Sequence, residues 1–289
     1  MTVSAWRALA IYGALSFIAV GVGCAVGQVS GVPTGVWARN LGSWLAGGLA
    51  AALIVRFARP KTWLVFALAA PLGLLASLFN SGQLGVHRWL DVGPLRMNAA
   101  QVLLPAAIAA CGAPNLGRIW PWAAASSLVL LVFQPDASQA MALGGALFAL
   151  IGASSLSRPV RAGAMAAVGL AMAASWLRPD PLAPVAEVEE IMRLAAELSP
   201  LAAVGAWGAL IAALGSPALM KTPGDRGASR ALCAYAVLSA LVPLIGPFPV
   251  PLVGMAMSPI LGLWLGVGLL VSRARNAAVS KNTPAASGD

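Results

Sequence analysis

The sequence predicts an all-α integral membrane protein, a polytopic bundle of about ten transmembrane helices. Of its 289 residues, 60% are hydrophobic and only 9% are charged, and the mean hydropathy is +0.85. A soluble globular protein carries roughly 25% charged residues, so this chain has too little polar material to cover a surface that faces water on all sides. Glycine and alanine are abundant, which is typical of helices that pack closely in lipid. The solvent of this chain is therefore a bilayer.

Ten apolar segments set the expected number of helices. Each approaches or exceeds the length of about 17 residues that a spanning helix needs, and charged or proline-bearing segments separate them. The N-terminal segment lacks a small-residue cleavage site, so we expect it to remain as the first span. The segments predict one transmembrane domain over residues 1–275 and a polar, disordered cytoplasmic tail over 276–289. The expected spans are 6–28, 41–57, 62–80, 99–114, 119–135, 138–156, 162–177, 198–218, 230–246 and 252–272.

The distribution of charge predicts the orientation of this domain. If the N-terminus is cytoplasmic, 13 of the 18 basic residues face the cytoplasm, which gives an N-in, C-in topology by the positive-inside rule. Seven of the nine acidic residues then fall on the outer face, where we expect the chemistry of the protein. The inner basic residues are Arg7, Arg56, Arg59, Lys61, Arg118, Arg158, Arg161, Lys221, Arg226, Arg230, Arg273, Arg275 and Lys281. The outer acidic residues are Asp91, Asp136, Asp180, Glu187, Glu189, Glu190 and Glu197.

Charge and cysteine content argue against two other classes of protein. The net charge of +9 does not indicate a nucleic-acid partner, because the basic residues are scattered between apolar runs and form no stripe. The three cysteines, Cys24, Cys111 and Cys233, lie in apolar surroundings. They share no metal-ligand spacing and indicate no disulfide framework.

A polar segment, GVHRWLDVGPLRMNAAQ at residues 85–101, interrupts the apolar chain on the outer side and holds its single histidine, His87. Composition alone favours an interfacial loop, with Trp89 at headgroup depth and Arg88 beside a lipid phosphate. The order of the residues carries further information. It resembles the signature N-G-A-R-R-W-I-x-L-G-x-x-x-x-Q-P-S-E of the SEDS family (shape, elongation, division and sporulation). Arg88, Trp89 and Gly93 match that signature, and His87 takes the place of its first arginine.

A second match to this family lies in LLVFQPDASQA, residues 130–140, at the outer junction of two spans. Gln134, Pro135 and Asp136 resemble the start of the family pattern Q-P-D-x-G-T-A. A structural interpretation is also open at this point. Pro135 would end one helix, and Asp136 or Ser138 would cap the next.

A third match lies in residues 241–272, a proline-rich outer turn followed by the last span. It is similar to the family pattern G-[IV]-P-L-P-F-[IV]-S-Y-G-G-S-S, with P-L-P-F at either 247–250 or 249–252. The tyrosine and most of the polar run of that pattern are missing. Three matches occur in family order, at the expected positions of a ten-span chain. By this resemblance the chain is identified as a divergent and short member of the SEDS family.

The resemblance implies a role in peptidoglycan synthesis. It implies polymerisation of lipid II, the undecaprenyl-linked precursor, at the outer face of the bacterial inner membrane, with a penicillin-binding-protein transpeptidase as partner. A cation beside the lipid diphosphate would stabilise charge on the leaving group, and Arg88 is the first candidate. A divalent cation is compatible with this chemistry, although no ligand spacing demands one. The expected substrate-binding residues are His87, Arg88, Trp89, Arg96 and Asp136.

The catalytic carboxylate is expected in the longest outer segment, residues 176–200. The family carries an aspartate there within an H-T-D motif that this chain lacks, and counting back from Glu197 places Val188 at its position. A flanking glutamate would then accept the proton of the acceptor hydroxyl. The alternative is a solvated amphipathic helix, because apolar residues recur at helical spacing. The candidate catalytic residues are Glu187, Glu189 and Glu190.

Two other functions stay open on the sequence alone. A catalytically inactive SEDS relative would act as a scaffold or a partner-binding subunit, and the missing motifs favour this alternative. A flippase or transporter of lipid-linked precursors would need ionisable groups near the middle of its spans. The charged residues of this chain lie in loops or near helix ends, which weighs against transport.

Overall fold

The chain folds into a bundle of helices in the order that the sequence predicts. The computed structural model describes residues 3–111, 113, 116–117, 119–178, 180–220 and 226–282. In that part of the chain, ten helices of 13 residues or more correspond one by one to the ten expected spans. With the two short helices α8 and α9 included, the helices are α1 (Val3–Val29), α2 (Thr34–Phe57), α3 (Pro60–Ser77), α4 (Ala99–Cys111), α5 (Ile119–Phe133), α6 (Ala137–Gly152), α7 (Arg158–Ser175), α8 (Ala186–Glu189), α9 (Ile191–Leu198), α10 (Pro200–Leu219), α11 (Arg226–Leu241) and α12 (Met257–Asn282).

Helix length and composition confirm the all-α membrane class. Six helices are long and apolar enough to cross a membrane, namely α1, α2, α3, α10, α12, and α11 together with the turn that follows it. Helices α4, α5 and α6 are shorter but also apolar. Helix α7 has 18 residues and belongs to neither group. The protein is therefore a polytopic membrane protein.

Helix α12 is the central helix of the bundle and packs against both α2 and α4. In the most apolar stretch of 18 residues within Met257–Asn276, 78% of the residues are buried. A Cβ atom on Gly262 would lie only 1.9 Å from the carbonyl oxygen of Gln101, so the backbones of α12 and α4 touch where only glycine fits. This contact fixes the first turn of α12, which carries Ser258, beside the start of α4.

The last turns of α12 hold the ends of α2 and α4 at one end of the bundle. Arg275 donates a hydrogen bond to the carbonyl of Arg56 at 2.6 Å, and Arg273 donates to the carbonyl of Ala109. Cationic side chains at helix C-termini satisfy the carbonyls that lack partners within the helix. Helices α2, α4 and α12 therefore all end at the same end of the bundle. This is the end at which the sequence places the cytoplasm.

The last helix has different bounds from those expected. Helix α12 begins at Met257 and ends at Asn282, whereas the sequence predicts a span over 252–272 and a disordered tail from 276 onward. The helix begins later because the carbonyl and amide groups of 250–256 bond within turns and to a neighbouring segment. The parts of the expected inner face and tail that lie outside the described residues are Arg118, Lys221, the side chains of Arg226 and Lys281, and residues 283–289.

A two-stranded antiparallel sheet connects α3 to α4 at the opposite end of the bundle. Strand β1 (Trp89–Val92) pairs with β2 (Leu95–Asn98), and Trp89 lies opposite Asn98. Between the strands, Gly93 has a φ of +59°, which glycine adopts without steric cost. The sequence predicts no strand here. The hairpin brings Arg88, just before β1, next to the start of α4.

Candidate functional site

A cavity of about 280 Å³ lies at the end of the bundle where the sequence places the outer face. Its wall combines the first two turns of α2, the first turns of α4, α6 and α12, the hairpin, the segment 180–189, and the turns at 247–256. These elements are far apart in the chain and meet only in the folded protein. The charged residues that line the cavity are Arg39, Arg88, Arg96, Asp136, Asp180 and Glu189.

Arg88 is a buried cation of this cavity and is 6% exposed. Its Nη1 atom lies 2.7 Å from Oδ2 of Asp180, and its Nε atom lies 3.8 Å from Oδ2 of Asp136. Its Nη2 atom donates to the carbonyl of Pro135 at 2.5 Å. A buried guanidinium needs such partners, because an unpaired buried charge is strongly unfavourable. The arginine that matches the SEDS signature is thus held in one orientation at the cavity wall.

Asp136 both caps α6 and faces Arg88. Its Oδ1 atom accepts hydrogen bonds from the backbone N–H of Gln139 at 3.2 Å and from the Ser138 hydroxyl at 2.8 Å. Its Oδ2 atom faces Arg88 and the side-chain amide of Asn98, which is 3.5 Å away. The capping role suggested by the sequence is confirmed for Asp136. Its Oδ2 atom takes no part in the cap and faces Arg88 and Asn98, which line the cavity.

Gln134 and His87 serve the frame of the site and do not line the cavity. The Gln134 amide donates to the carbonyl of Leu74 and to the Ser77 hydroxyl, both at 2.7 Å, which ties the end of α5 to the end of α3. The Nδ1 atom of His87 lies 2.9 Å from the carbonyl oxygen of Asn80. The structure therefore places His87 behind the cavity wall, next to the chain that leads into the hairpin.

Trp89 and Arg96 lie on the two strands of the hairpin, and both line the cavity. The Arg96 guanidinium lies over the Trp89 ring at 5.4 Å from its centroid, in a cation–π contact. Arg96 also lies 3.4 Å from Asp91 and donates to the carbonyl of Ser81 at 2.8 Å. Its side chain is 35% exposed, so this arginine lies at the mouth of the cavity, whereas Arg88 lies within it.

The three candidate glutamates occupy different surroundings. Glu189 lines the cavity, whereas Glu187 and Glu190 do not. Glu190 forms an exposed ion pair with Arg193, which also bonds to Glu197 at 2.7 Å. The helix expected over this segment is divided into α8 and α9, with Glu190 at the junction. Of the three, only Glu189 meets Arg88 in a common cavity.

The environment of Glu189 raises the pKa of its carboxyl to about 6. The main cause is burial, which disfavours the charged form, and the nearby charges of Asp180 and Glu187 act in the same direction. The backbone amide of Val185 donates to Oε2 of Glu189 at 2.6 Å and opposes the shift. A carboxylate of this pKa is a stronger base than an ordinary one and is still mostly ionised above pH 7.

The segment that carries Glu189 is pinned to the turns before α12. The amide of Met255 donates to the carbonyl of Glu187 at 2.8 Å, and the amide of Val250 donates to the carbonyl of Val188 at 3.1 Å. These two bonds join adjacent residues of the 180–189 segment to both ends of the turn at 250–255. They explain how a helix of only four residues, α8, holds a fixed place at the cavity.

Sequence reasoning missed several polar residues of the cavity. Asp180 was recognised only as one of the outer acidic residues, and nothing in its local sequence indicates that it bonds to Arg88. Arg39, near the start of α2, is exposed, and its side chain forms no hydrogen bond or ion pair with the described residues. The available signal was topological, because both residues lie at outer helix ends. Other missed lining residues are Asn40, Asn98, Gln101 and Ser258.

The described residues do not form a metal site built from protein ligands alone. No group of three or more His, Cys, Asp or Glu side chains in the described part of the chain could hold an ion. The carboxylates of Asp136 and Asp180 both line the cavity, and both are already directed at Arg88.

The fold of this chain is similar to that of solved RodA structures. A crystal structure of the rod shape determining protein RodA from Thermus thermophilus is similar with a TM-score of 0.66 and 18% sequence identity, covering 91% of this chain and 95% of that one. A point mutant of the same protein gives a TM-score of 0.65 and 19% identity, covering 91% and 97%. A structure of a peptidoglycan synthase complex, described as coordinating polymerization and crosslinking, is similar with a TM-score of 0.64 and 20% sequence identity. The match covers 94% of this chain and 97% of that one.

These similarities confirm, at the level of the fold, the resemblance that three short motifs indicated. No protein-family model matches the chain, and no curated protein sequence matches it. The fold is similar although the sequence identity to each of these structures is 20% or less.

Proposed function

We propose that this chain is a divergent SEDS protein of peptidoglycan synthesis that binds lipid II, and polymerises it, at the outer face of the bacterial inner membrane. The observation that carries the proposal is the position of Arg88. The arginine that matches the family signature is buried in the wall of an outer cavity, beside the aspartate of the matching Q-P-D motif. The RodA-like fold supports the same function.

Arg88 suits the diphosphate of a lipid-linked sugar. A guanidinium binds phosphate oxygens in a forked geometry, and the low dielectric of a partly closed cavity strengthens that interaction. Arg39 and Arg96 add positive charge at the mouth. The Asp180 carboxylate competes for the same guanidinium, so an anionic ligand must share Arg88 with Asp180 or displace it. Binding is therefore expected to depend on the Arg88–Asp180 ion pair.

The polymerisation step needs a base as well as this cation. The hydroxyl of the acceptor sugar attacks the anomeric carbon of the donor sugar, and the bond from that carbon to the diphosphate oxygen breaks. The lipid diphosphate leaves with the electron pair, and the hydroxyl proton passes to a carboxylate. We assign that carboxylate to Glu189, which lines the cavity and has a pKa of about 6. Asp136 and Asp180 are less suitable candidates, because the carboxylate of each is already directed at Arg88.

We further propose a crosslinking transpeptidase of the penicillin-binding class as the membrane partner. The similar peptidoglycan synthase complex, in which polymerization is coordinated with crosslinking, supports this assignment. The glycan strands made at the outer face of this chain would be the substrate of such a partner.

The test is a polymerisation assay on the purified full chain in proteoliposomes that contain lipid II, with and without a cognate transpeptidase. The wild type is expected to form glycan strands, and Arg88→Ala is expected to form none. Arg193→Ala is the matched control, because Arg193 is an outer arginine that forms exposed ion pairs and does not line the cavity. Polymerisation by Arg88→Ala at the wild-type rate would show that the assigned site is wrong.

A non-catalytic subunit that holds lipid II or a partner is the second candidate. The observation in its favour is that Arg88 faces two carboxylates and a carbonyl, so its charge is already compensated. The missing H-T-D motif points in the same direction. Saturable binding of lipid II without polymerisation, even in the presence of the transpeptidase, would select this function.

A further inference from the structure

A buried chain of hydrogen bonds leads from α11 to the carboxylate of Asp136. The Tyr235 hydroxyl donates to Oε1 of Gln139 at 2.5 Å, and Nε2 of Gln139 donates to the Ser138 hydroxyl at 3.4 Å. The Ser138 hydroxyl donates in turn to Oδ1 of Asp136 at 2.8 Å. All four residues are less than 5% exposed. Tyr235 does not line the large cavity, so it lies behind the residues that do.

The chemistry of the groups fixes the direction of this chain. A carboxylate only accepts, so the Ser138 proton is directed to Asp136, and the Ser138 oxygen is left to accept from the amide of Gln139. The amide oxygen of Gln139 then needs a donor, and the Tyr235 hydroxyl supplies it. Without that donor, the amide can turn over and present its oxygen to Ser138. The Ser138 proton would then have two competing acceptors, Gln139 and Asp136.

We propose that Tyr235 is a positioning residue of the site, which acts through Gln139 and Ser138 to orient Asp136 and thereby Arg88. The proposal rests on the proposed function in one respect, namely that Arg88 binds a lipid-linked diphosphate. It assigns to α11 a part in the site that none of the sequence motifs indicates. A buried network of this kind fixes geometry because each of its members has a partner.

The chain offers a matched control, because it contains two tyrosines. Tyr12 is buried in α1 like Tyr235 in α11, with 1% and 3% of each residue exposed. The hydroxyl of Tyr12 has no hydrogen-bond partner in the described part of the chain. Tyr235→Phe and Tyr12→Phe therefore remove the same atom from equally buried positions, and only the first removes a link to Asp136.

The experiment has a readout that requires no ligand. Hydrogen exchange is measured on the peptide covering residues 134–142 in the full chain in nanodiscs. This peptide reports on Asp136, because the backbone N–H of Gln139 donates to the Asp136 carboxylate. Tyr235→Phe is expected to speed exchange in this peptide, and Tyr12→Phe is expected to leave it unchanged. In a Ser138→Ala background, Tyr235→Phe should add nothing, because the link through which it acts is already broken. Unchanged exchange in Tyr235→Phe, or an additive effect in the double variant, overturns the proposal.

The second readout is binding of undecaprenyl diphosphate. Loss of one buried hydrogen bond in the network is expected to weaken binding about 3- to 10-fold in Tyr235→Phe. Faster exchange with unchanged binding would overturn the positioning role, since it would show that the network does not reach Arg88. If the wild type binds no undecaprenyl diphosphate, the proposed function fails, while the exchange result still decides whether Tyr235 orients Asp136.

Discussion

The guanidinium of Arg88 and the carboxylate of Asp180 meet at 2.7 Å within the outer cavity, with both side chains at most 10% exposed. One residue belongs to the segment that leads into the hairpin, and the other follows α7. The ion pair closes the cavity wall between these two segments. The pair also compensates the positive charge of Arg88, which we assign to substrate binding. The strength of this ion pair should therefore affect the affinity for the substrate.

Replacement of Asp180 tests that competition. Asp180→Asn removes the charge that competes with an anionic ligand, while Asp136 and the Pro135 carbonyl still hold Arg88. We expect undecaprenyl diphosphate to bind about 3- to 10-fold more tightly to Asp180→Asn than to the wild type. The control is Glu197→Gln, which removes an outer carboxylate that pairs with Arg193, and neither of these two residues lines the cavity. Weaker binding to Asp180→Asn would show that Asp180 supports Arg88 and does not compete with the ligand.

The pH dependence of polymerisation tests the assignment of Glu189. A base works in its deprotonated form, so the rate should fall as the pH drops through about 6, the pKa of Glu189. Glu189→Gln should reduce the rate at every pH and remove this dependence. Glu190→Gln should keep the wild-type profile, because Glu190 is exposed and pairs with Arg193. A Glu189→Gln enzyme with the wild-type profile would exclude Glu189 as the base.

The Glu189 carboxyl should also make the stability of the fold depend on pH. Its contribution to stability should fall as the pH rises, whereas the polymerisation rate should increase. Its pKa rises from 4.5 to about 6 on folding, so between these values the folded state binds more protons than the unfolded state. Stability from this group is present below about pH 4.5 and is lost as the pH rises through 6. We expect Glu189→Gln to raise the melting temperature of the detergent-solubilised protein more at pH 7.5 than at pH 4.5. An equal change at both pH values would contradict the raised pKa that partial burial gives to Glu189.

Two substitutions of Asp136 separate its two roles. Asp136→Asn keeps an oxygen that can cap α6 and removes the charge near Arg88, whereas Asp136→Ala removes both. Loss of a helix cap costs about 1 kcal/mol, so Asp136→Ala should unfold at a lower temperature than Asp136→Asn. Both should bind diphosphate differently from the wild type. Equal melting temperatures of the two variants would show that the cap contributes little.

The contact between α12 and α4 gives a prediction on stability alone. A Cβ atom on Gly262 would lie 1.9 Å from the Gln101 carbonyl, so Gly262→Ala forces the two backbones apart and should cost about 1–3 kcal/mol or more. Gly163→Ala in α7 is the control, since nothing lies within 4 Å of its added carbon. Thermal unfolding in detergent distinguishes them. A melting temperature of Gly262→Ala equal to that of Gly163→Ala would disprove the close packing.

The order of the long helices could be predicted from the sequence because apolar length is a local property. The bounds were less accurate where the chain turns. The last helix begins at Met257 and not at 252, because the residues before it bond to the segment around Val188. The hairpin was missed because its two strands have only four residues each and lack a long alternating pattern.

The candidate site was predictable only where a motif carried it. Arg88 and Asp136 were found through their order in the sequence, and the structure places both at the cavity. Asp180, Arg39 and the Tyr235 network were not found, because each takes part through contacts between segments that are distant in the chain. The local sequence around Asp180 contains nothing that distinguishes a partner of Arg88 from a solvated carboxylate.

Binding of lipid II to the full chain in nanodiscs is the most direct test of the central claim, because it does not depend on a partner or on turnover. The wild type should bind lipid II saturably, undecaprenyl diphosphate should compete, and Arg193→Ala should behave as the wild type. Arg88→Ala should bind at least about tenfold more weakly, since it loses a charge-assisted interaction with the diphosphate. Equal affinity of Arg88→Ala and Arg193→Ala for lipid II would contradict the account.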